Sequence, residues 1–170
     1  PSALTGTDQA ENYNGVTWPN DQYSQAALTA AGVLSIGDGP GVMVRGSKSA
    51  NTFYWAVCRC DAASSVQLQV KKFVAGLGTE LATRTVSWSS GDILYLEVQG
   101  TTLIVKQNGT TLGASITDSG IVSGRAGIAY STDNGSTSVI IDNWEGGDFS
   151  AGFIVRSIII SQAIQRAAAY

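Results

Sequence analysis

Between Trp18 and Trp144 the chain is a succession of short segments in which apolar and polar residues alternate, each bounded by turn residues. The clearest segment is Gly91 to Leu112, where the alternation is interrupted by Gly100 and then by the pair Asn108-Gly109. An Asn-Gly pair supplies the positive φ angles that a type I′ turn demands. This segment therefore predicts two consecutive antiparallel hairpins. Extended along the chain, the same spacing predicts about ten short strands, which two packed sheets accommodate.

The middle of the chain continues the pattern with two neighbouring strands. Residues 53–58 alternate between two sets of side chains, and residues 66–70 form the next strand after a turn-rich connection. We expect this meander to place one hydrophobic face on a partner sheet. Cys58 and Cys60 lie two apart in the first of these strands and so share a face, where a cross-link between them would be strained. They are expected to be small buried residues, not a disulfide framework or a metal site.

Composition supports a single all-β domain. Of the 170 residues, 44% are hydrophobic and only 14% are charged, whereas helical surfaces need many Lys, Glu and Arg. The formal net charge of −3 gives no cationic field for phosphate backbones, so nucleic-acid binding is not expected. The apolar runs near the end of the chain, 153–155 and 158–160, are far shorter than the roughly 20 residues that span a bilayer, so membrane insertion is not expected either.

Histidine is absent, which removes the commonest general base near neutral pH and the commonest zinc ligand. A glycosidase needs two carboxylates that face one groove. None of the four glutamates lies two or four residues from another acid. Asp142 and Glu145 come nearest, and a spacing of three in a strand is expected to send them to opposite faces. We therefore expect no enzymatic activity, unless folding brings Glu97 or Glu145 against a distant carboxylate.

A longer series of residues carries a resemblance to a known family. Its members are tryptophans near both ends, turn glycines, and acidic or apolar residues in the strands between them. The series is Trp18, residues 21–26, Gly41-Val42, Arg45, Tyr54, residues 66–72, Gly91-Asp92, Leu94, Leu96, Glu97, Val98, Gly100, Leu103, Asn108-Gly109, Asp118, Gly124, Gly127-Ile128 and Asp142-Asn143-Trp144. Over roughly residues 16–148 this pattern resembles the concanavalin A-like lectin/glucanase superfamily, of the laminin-G-like jelly-roll kind.

The resemblance implies an all-β, two-sheet antiparallel jelly-roll sandwich. It also implies a place among carbohydrate-binding modules, adhesion modules, polysaccharide-cleaving enzymes and phage structural proteins. The glucanases of this superfamily carry a Glu-x-Asp-x-x-Glu run on one strand, and this chain has no such run. Because the fold hosts many activities, the resemblance specifies the fold better than the function.

Glycan binding needs an aromatic platform and a few planar polar side chains, with or without calcium. The candidate ligand-binding residues are Trp18, Tyr23, Arg45, Tyr130, Asp133 and Asn134. Each has a structural alternative, since Trp18 and Tyr23 can cap the core, Arg45 can pair with a carboxylate such as Asp38, and the loop 130–134 can be a solvated hairpin tip built on Asn134-Gly135. Calcium, if it is bound, is expected at Asp133, the candidate metal ligand, and no other cofactor is expected.

The two ends of the chain depart from this pattern. Residues 1–17 predict an irregular lead-in, residues 18–148 the jelly-roll domain, and residues 149–170 an apolar C-terminal arm. The candidate assembly residues of the arm are Phe153, Ile158, Ile160, Ile164 and Tyr170. A free apolar arm promotes aggregation, so we expect it to dock on this domain or on a neighbouring subunit. Because the chain begins at Pro1 without a leader, we expect it to be processed or excised from a longer one.

Two hypotheses about function follow. In the first, the chain is a non-catalytic, lectin-like module outside the cell or on a virion surface, with a glycan or cell-surface polysaccharide as its partner. In the second, it is a purely structural subunit, such as a capsid decoration protein or a filament subunit, that assembles with itself or with other virion or extracellular proteins. A polysaccharide-cleaving enzyme is the third and least favoured hypothesis.

Overall fold

The structure of the protein is a computed structural model, which describes residues 17–30, 39–62, 65–131 and 139–148. These residues form antiparallel strands and no helix. The strands are β1 (Gln22–Ala30), β2 (Gly39–Ser47), β3 (Thr52–Ala62), β4 (Ser65–Val74), β5 (Leu77–Val86), β6 (Asp92–Gln99), β7 (Thr102–Gln107), β8 (Thr110–Thr111), β9 (Ile116–Thr117), β10 (Arg125–Ser131) and β11 (Val139–Asp148). The described residues contain no helix long and apolar enough to cross a membrane.

The strands make two sheets that pack face to face. The six-stranded sheet has the order β11-β1-β6-β7-β8, with β9 also paired to β7, and the five-stranded sheet has the order β10-β2-β3-β4-β5. Every strand pair is antiparallel. The predicted fold class, a two-sheet antiparallel jelly-roll sandwich, is confirmed.

The two hairpins predicted from Gly91 to Leu112 are present. β6 pairs with β7 across Gly100, whose φ is 55°. β7 pairs with β8 across Asn108 and Gly109, whose φ angles are 50° and 81°. Both residues of the second turn thus have the positive φ that a type I′ turn requires, which explains why local sequence sufficed to predict it.

Inward-facing residues of the two sheets form the main core. In β6, Leu94, Leu96 and Val98 are each 0% exposed, as their alternation predicts. Trp144 of β11 is buried in the same cluster and donates its indole N–H to Ser24 Oγ at 2.9 Å. The prediction that Cys58 and Cys60 are small buried residues is also confirmed. Burial raises the pKa of the Cys58 thiol, so this residue behaves as a small apolar side chain.

The strand β3 differs from the prediction of one apolar face, because all six residues 53–58 are buried. Tyr54, Ala56 and Cys58 enter the core between the sheets. Phe53, Trp55 and Val57 point to the other side of the five-stranded sheet. They form a second apolar cluster there, whose members are Met43, Phe53, Trp55, Val57, Phe73 and Ala129. A run without any polar residue gives no sign of which face is solvated, so alternation was a poor guide here.

A hydrogen-bond network holds residues 118–124 on the edge of the sandwich. The Tyr54 hydroxyl donates to Asp118 Oδ1 at 2.6 Å and accepts from the buried Ile121 N–H at 2.9 Å. Lys72 Nζ lies 2.6 Å from Asp118 Oδ2, and Gly120 N–H donates to Oδ1 at 2.7 Å. Burial, reinforced by the Asp118 hydrogen bond, raises the pKa of Tyr54 to about 12. Although burial opposes it, the bonds from Lys72, Tyr54 and Gly120 hold the pKa of Asp118 below its usual value.

Candidate functional site

The outward side of the six-stranded sheet carries aromatic and polar side chains in two rows. In the first row, Gln25 of β1 is opposite Glu145 of β11 and Tyr95 of β6, and Tyr95 is opposite Lys106 of β7. In the second row, Tyr23 is opposite Glu97. We call this surface the tyrosine face; its members are Tyr23, Gln25, Tyr95, Glu97, Lys106 and Glu145. It exists because alternate residues of each strand point away from the core.

The two tyrosine rings form the centre of the tyrosine face. Their centroids are 5.5 Å apart and their planes are inclined by only 22°, so the rings are stacked. Gly147, which is opposite Tyr23, leaves room for this arrangement, since a Cβ there would lie 2.6 Å from the Tyr23 ring. Tyr23 and Tyr95 are half-buried, so part of each ring faces solvent.

Glu145 organises one side of the tyrosine face. Its Oε1 accepts a hydrogen bond from the Tyr23 hydroxyl at 2.5 Å, and its Oε2 accepts one from Gln25 Nε2 at 3.0 Å. Burial, reinforced by the bond to Glu145, raises the pKa of Tyr23. Tyr23 therefore stays protonated and keeps its hydroxyl aimed at the carboxylate throughout the physiological range.

Glu97 and Lys106 organise the other side. Lys106 Nζ lies 2.9 Å from Glu97 Oε2 and 4.6 Å from the centroid of the Tyr95 ring. Glu97 is only 6% exposed, so its charge is compensated locally by the ammonium group and by a hydrogen bond with Tyr95. Burial, followed by the hydrogen bond to Glu97, raises the pKa of Tyr95. A cation above the ring fixes the tilt of Tyr95.

A bulge in β11 changes the predicted position of one acid. Gln25 is opposite Glu145, but Ala27 is opposite Asp142, so β11 has one more residue than β1 over this stretch. The extra residue is marked by Asn143, whose φ is 52°. Because Gln25 and Ala27 share a face, Asp142 and Glu145 lie on the same side of the sheet. The prediction that a spacing of three sends them to opposite faces is therefore wrong, since it assumed an unbroken strand.

The tyrosine face carries two carboxylates, Glu97 and Glu145, that do not form a pair. Glu97 on β6 and Glu145 on β11 are separated by β1, and two strand steps amount to about 10 Å. The Tyr23 side chain lies between them. Each carboxylate already accepts hydrogen bonds from neighbouring side chains. The arrangement thus offers fixed acceptors, an ammonium donor and aromatic surface on the outward side of one sheet.

The predicted residue Arg45 lies elsewhere, beside a cleft of about 490 Å³ at one end of the sandwich. It is 3% exposed, and its Nε, Nη1 and Nη2 each donate at 2.8 Å to a backbone carbonyl, those of Asn20, Ile121 and Gly100 respectively. Its ion pair is with Asp21, at 3.5 Å. Asp38, the partner considered from the sequence, lies outside the described residues. Burial lowers the pKa of Arg45, partly offset by Tyr54 and Asp21.

The other predicted ligand-binding residues do not join Tyr23. Trp18 and Tyr130 are partly buried and pack against the main core. For Trp18 this is the structural alternative considered from the sequence. Asp133 and Asn134, including the candidate calcium ligand, lie outside the described residues. Among the described residues, no group of three or more His, Cys, Asp or Glu side chains forms a metal site. The predicted arm, with Phe153, Ile158, Ile160, Ile164 and Tyr170, and residues 1–16 of the predicted lead-in also lie outside the described residues.

Most of the tyrosine face was missed from the sequence. The alternation in β6 showed that residues 95 and 97 point away from the core, and this was the available signal. Their assembly with Tyr23, Gln25 and Glu145 depends on the pairing of β1 with both β6 and β11. Strand order of this kind joins residues about 120 positions apart, which no local pattern reveals.

Comparison with known proteins gives a likeness of fold. No family model and no curated protein matches the chain. Among solved structures, carbohydrate-binding module CBM66 from Bacillus subtilis superposes with a TM-score of 0.59 at 16% identity, covering 85% of this chain and 78% of that one. Galectin LEC-6 of Caenorhabditis elegans gives 0.51 at 12% identity, covering 83% and 88%. Sheep galectin-11, in complex with glycerol, gives 0.52 at 10% identity, covering 83% and 96%. The chain therefore has the jelly-roll sandwich that these proteins share, in agreement with the predicted superfamily fold.

Proposed function

We propose that the chain is a non-catalytic carbohydrate-binding module and that the tyrosine face is its sugar-binding surface. The observation that carries the proposal is the pair of stacked rings, Tyr23 and Tyr95, flanked by the fixed side chains of Gln25, Glu145 and Lys106. Sugar rings present an apolar C–H face and a rim of hydroxyl groups. The Tyr95 ring lies between Tyr23 and Lys106, so the two rings offer their solvent-facing edges to the C–H face, and the neighbouring polar groups complement the hydroxyl groups.

The carboxylates suit hydroxyl recognition. Glu145 accepts one hydrogen bond on each oxygen from the protein, and each carboxylate oxygen has a second lone pair for a ligand hydroxyl. Because these side chains are already held by Tyr23 and Gln25, they lose little freedom when a ligand binds. The face lies along adjacent strands instead of in a deep pocket, which favours an extended glycan over a single sugar unit.

The same geometry supports a non-catalytic role. A retaining glycosidase holds its two carboxyl groups about 5 Å apart and an inverting one about 6.5–9.5 Å apart, with one of them free to protonate the leaving group. The backbone positions of Glu97 and Glu145 are two strand steps and two residues apart, about 12 Å, and Tyr23 lies between them. Glu97 is also engaged by Lys106 Nζ at 2.9 Å, and Glu145 by Tyr23 and Gln25. Both carboxylates are therefore held by neighbouring side chains of the protein, which supports binding over cleavage.

The names of the similar structures agree with this proposal. One is described as a carbohydrate-binding module and two as galectins, on the same kind of sandwich. We propose a place outside the cell or on a virion surface, where a cell-surface polysaccharide is the partner. The second hypothesis, a structural subunit of a larger assembly, predicts a defined oligomer and no selective glycan binding.

A glycan array with the purified chain tests the proposal, run once with calcium and once with a chelator. The best ligand is then titrated against Tyr95→Ala, which removes the ring, and Tyr95→Phe, which keeps it. We expect Tyr95→Ala to weaken binding at least about tenfold, which corresponds to about 1.4 kcal/mol, and Tyr95→Phe to retain most of the affinity. Loss of binding in chelator would assign calcium a role, with Asp133 as the first residue to substitute. No selective binding on the array, together with a defined oligomer in light scattering, would favour the structural subunit instead.

A further inference from the structure

The second apolar cluster lies on the outward side of the five-stranded sheet, and we call it the aromatic patch. Its members are Met43, Phe53, Trp55, Val57, Phe73 and Ala129. The Phe53 and Phe73 rings stack with centroids 4.8 Å apart. The Trp55 indole lies over Gly41, where a Cβ would be 2.4 Å from Nε1, and donates to the Ala129 carbonyl at 3.2 Å. These contacts make a continuous apolar surface across β10, β2, β3 and β4.

The aromatic patch is buried although no described strand covers it. Its six side chains are between 0% and 5% exposed. The six-stranded sheet packs on the opposite side, against the core that contains Tyr54 and Ala56. Side chains on the outward side of a two-sheet sandwich are ordinarily solvated. These exposures are those of the single chain, so the cover must come from a part of the same chain outside the described residues.

A buried polar group at the rim supports the same conclusion. Gln69 is opposite Val57 and is only 8% exposed, yet its Oε1 has no hydrogen-bond partner. Its Nε2 donates to Gln67 Oε1 at 3.4 Å, so the amide is oriented with one acceptor unused. A buried acceptor without a donor is costly, by about 1–3 kcal/mol. A covering segment that brings an N–H or O–H group as well as apolar side chains would satisfy this acceptor.

We propose that residues 149–170 of the same chain cover the aromatic patch. Nine large apolar side chains lie in this segment, at positions 149, 153, 154, 155, 158, 159, 160, 164 and 170. Between them are serines and glutamines that can donate to Gln69, namely Ser157, Ser161, Gln162 and Gln165. Residues 1–16 contain only Leu4, Tyr13 and Val16 as large apolar residues, so they are poorly suited to cover six side chains.

The place where the described chain ends fits this occupant. Asp148 is opposite Gln22 of β1, and Gln22 Oε1 accepts a hydrogen bond from the Arg45 N–H of β2 at 3.1 Å. β11 therefore ends beside the part of β2 that precedes the turn into β3, near Phe53. β11 and β10 are the facing edge strands of the two sheets, and a Cβ on Gly146 would lie 3.1 Å from Ala126 Cβ. A chain leaving Asp148 therefore has only β10 to pass before it reaches the outward side.

The required reach is well within the available length. Crossing from one sheet to the outside of the other and then from β10 to β3 takes roughly 20 Å at ordinary sheet and strand spacings. Twenty-two extended residues span roughly 70 Å. The connection 31–38 ends at Gly39, where a Cβ would lie 2.5 Å from Val57 Cγ2, so it can border that end of the patch. Phe53 and Phe73 lie at the other end of β3 and β4, and a longer segment is needed to cover them.

Photo-cross-linking of the full chain tests the proposal. Benzoylphenylalanine replaces Lys71, which is opposite Trp55 and half-buried, and in a control chain it replaces Ile93, 42% exposed on the other sheet. Equal amounts of unlabelled and ¹⁵N-labelled chain are mixed before irradiation, and the cross-linked peptides are identified by mass spectrometry. We expect position 71 to cross-link to peptides of 149–170, with both linked peptides either labelled or unlabelled, which shows that they come from one chain. From position 93 we expect no cross-link to these peptides.

Other results of this experiment would overturn the proposal. Cross-links from position 71 to residues 1–16 or 31–38 would assign a different segment, and pairs of mixed label would assign a second copy of the chain. Absence of any cross-link from position 71 would show that nothing lies over the patch.

Variants of the full chain give a second readout. In Ile158→Asp/Ile160→Asp the segment should release, so we expect a several-fold rise in the fluorescence of a hydrophobic dye while far-ultraviolet circular dichroism is unchanged. Leu4→Asp is the matched control and should bind no more dye than the parent chain. Equal dye binding by the parent chain and the double variant would contradict the proposal, and the cross-linking result decides the question if the double variant fails to fold.

Discussion

Removing the Tyr54 hydroxyl tests the network that holds residues 118–124 on the sandwich. In Tyr54→Phe the ring remains in the core, so no cavity opens, but the buried Ile121 N–H loses its acceptor and Asp118 loses one donor. An unsatisfied buried donor costs about 1–3 kcal/mol. Lys72 and Gly120 still donate to Asp118, so the loss of the Tyr54 donor at this carboxylate adds little to the cost. We therefore expect the free energy of unfolding to fall by about 1–3 kcal/mol, measured by urea denaturation at neutral pH.

The matched control is Tyr23→Phe, which removes a hydroxyl that donates to Glu145 on the half-buried tyrosine face. Water can replace that donor, so this substitution should cost less than about 1 kcal/mol. The reasoning would be refuted if Tyr54→Phe lay within about 0.5 kcal/mol of the parent chain, or if the two substitutions cost the same.

The pH dependence of the stability difference between the parent chain and Tyr54→Phe gives an independent check. Because the pKa of Tyr54 rises from 10.0 to about 12 on folding, its contribution to stability is fully present below pH 10 and is lost as the pH rises to about 12. The stability difference between the parent chain and Tyr54→Phe should therefore shrink over that interval. A difference that stays constant from pH 9 to pH 12 would contradict the assigned hydrogen bonds.

Three further predictions address the core, the Asp118 carboxylate and the close approach of the β2 and β3 backbones. Leu96→Ala should lower the free energy of unfolding by about 3–5 kcal/mol in urea denaturation, because the side chain is 0% exposed; a loss below about 1 kcal/mol would show that the sheets are not packed there. The destabilisation caused by Asp118→Asn should be present at neutral pH and disappear as the pH falls below about 4, since the pKa of Asp118 is lowered by folding; a difference that persists in acid would contradict this sign. Gly41→Ala should lower the melting temperature, because its Cβ would lie 2.2 Å from the Ala56 carbonyl oxygen, whereas an unchanged melting temperature would place β2 farther from β3 than the structure does.

The parts of the fold that sequence predicted are those encoded by neighbouring residues. The Asn108-Gly109 turn and the alternation of Leu94, Leu96 and Val98 determine their hairpins locally, and both are present. The position of Glu145 was predicted wrongly relative to Asp142, because a bulge at Asn143 shifts the alternation by one residue. Bulges depend on the pairing of two strands, and the alternation of residues within β11 alone does not predict this one.

The candidate site shows the same limit. Tyr23 was identified as a ligand-binding residue, but Tyr95, Glu97 and Lys106 were not, because they reach Tyr23 only through the pairing of β1 with β6 and of β6 with β7. Arg45 was identified for its charge, and the structure places its guanidinium among backbone carbonyls. A buried arginine and a ligand-binding arginine have the same sequence signature, so only the surroundings separate them.

The central claim is that the tyrosine face binds glycan, and backbone amide chemical shifts of the ¹⁵N-labelled chain test it most directly. The chain is titrated with the oligosaccharide that scores highest on the array. We expect the largest shifts at Tyr23, Gln25, Tyr95, Glu97 and Glu145 on β1, β6 and β11, and we expect Tyr95→Ala to need at least about tenfold more ligand to reach them. Shifts confined to the end cleft beside Arg45 or to the strands of the five-stranded sheet, with the tyrosine face unaffected, would contradict it.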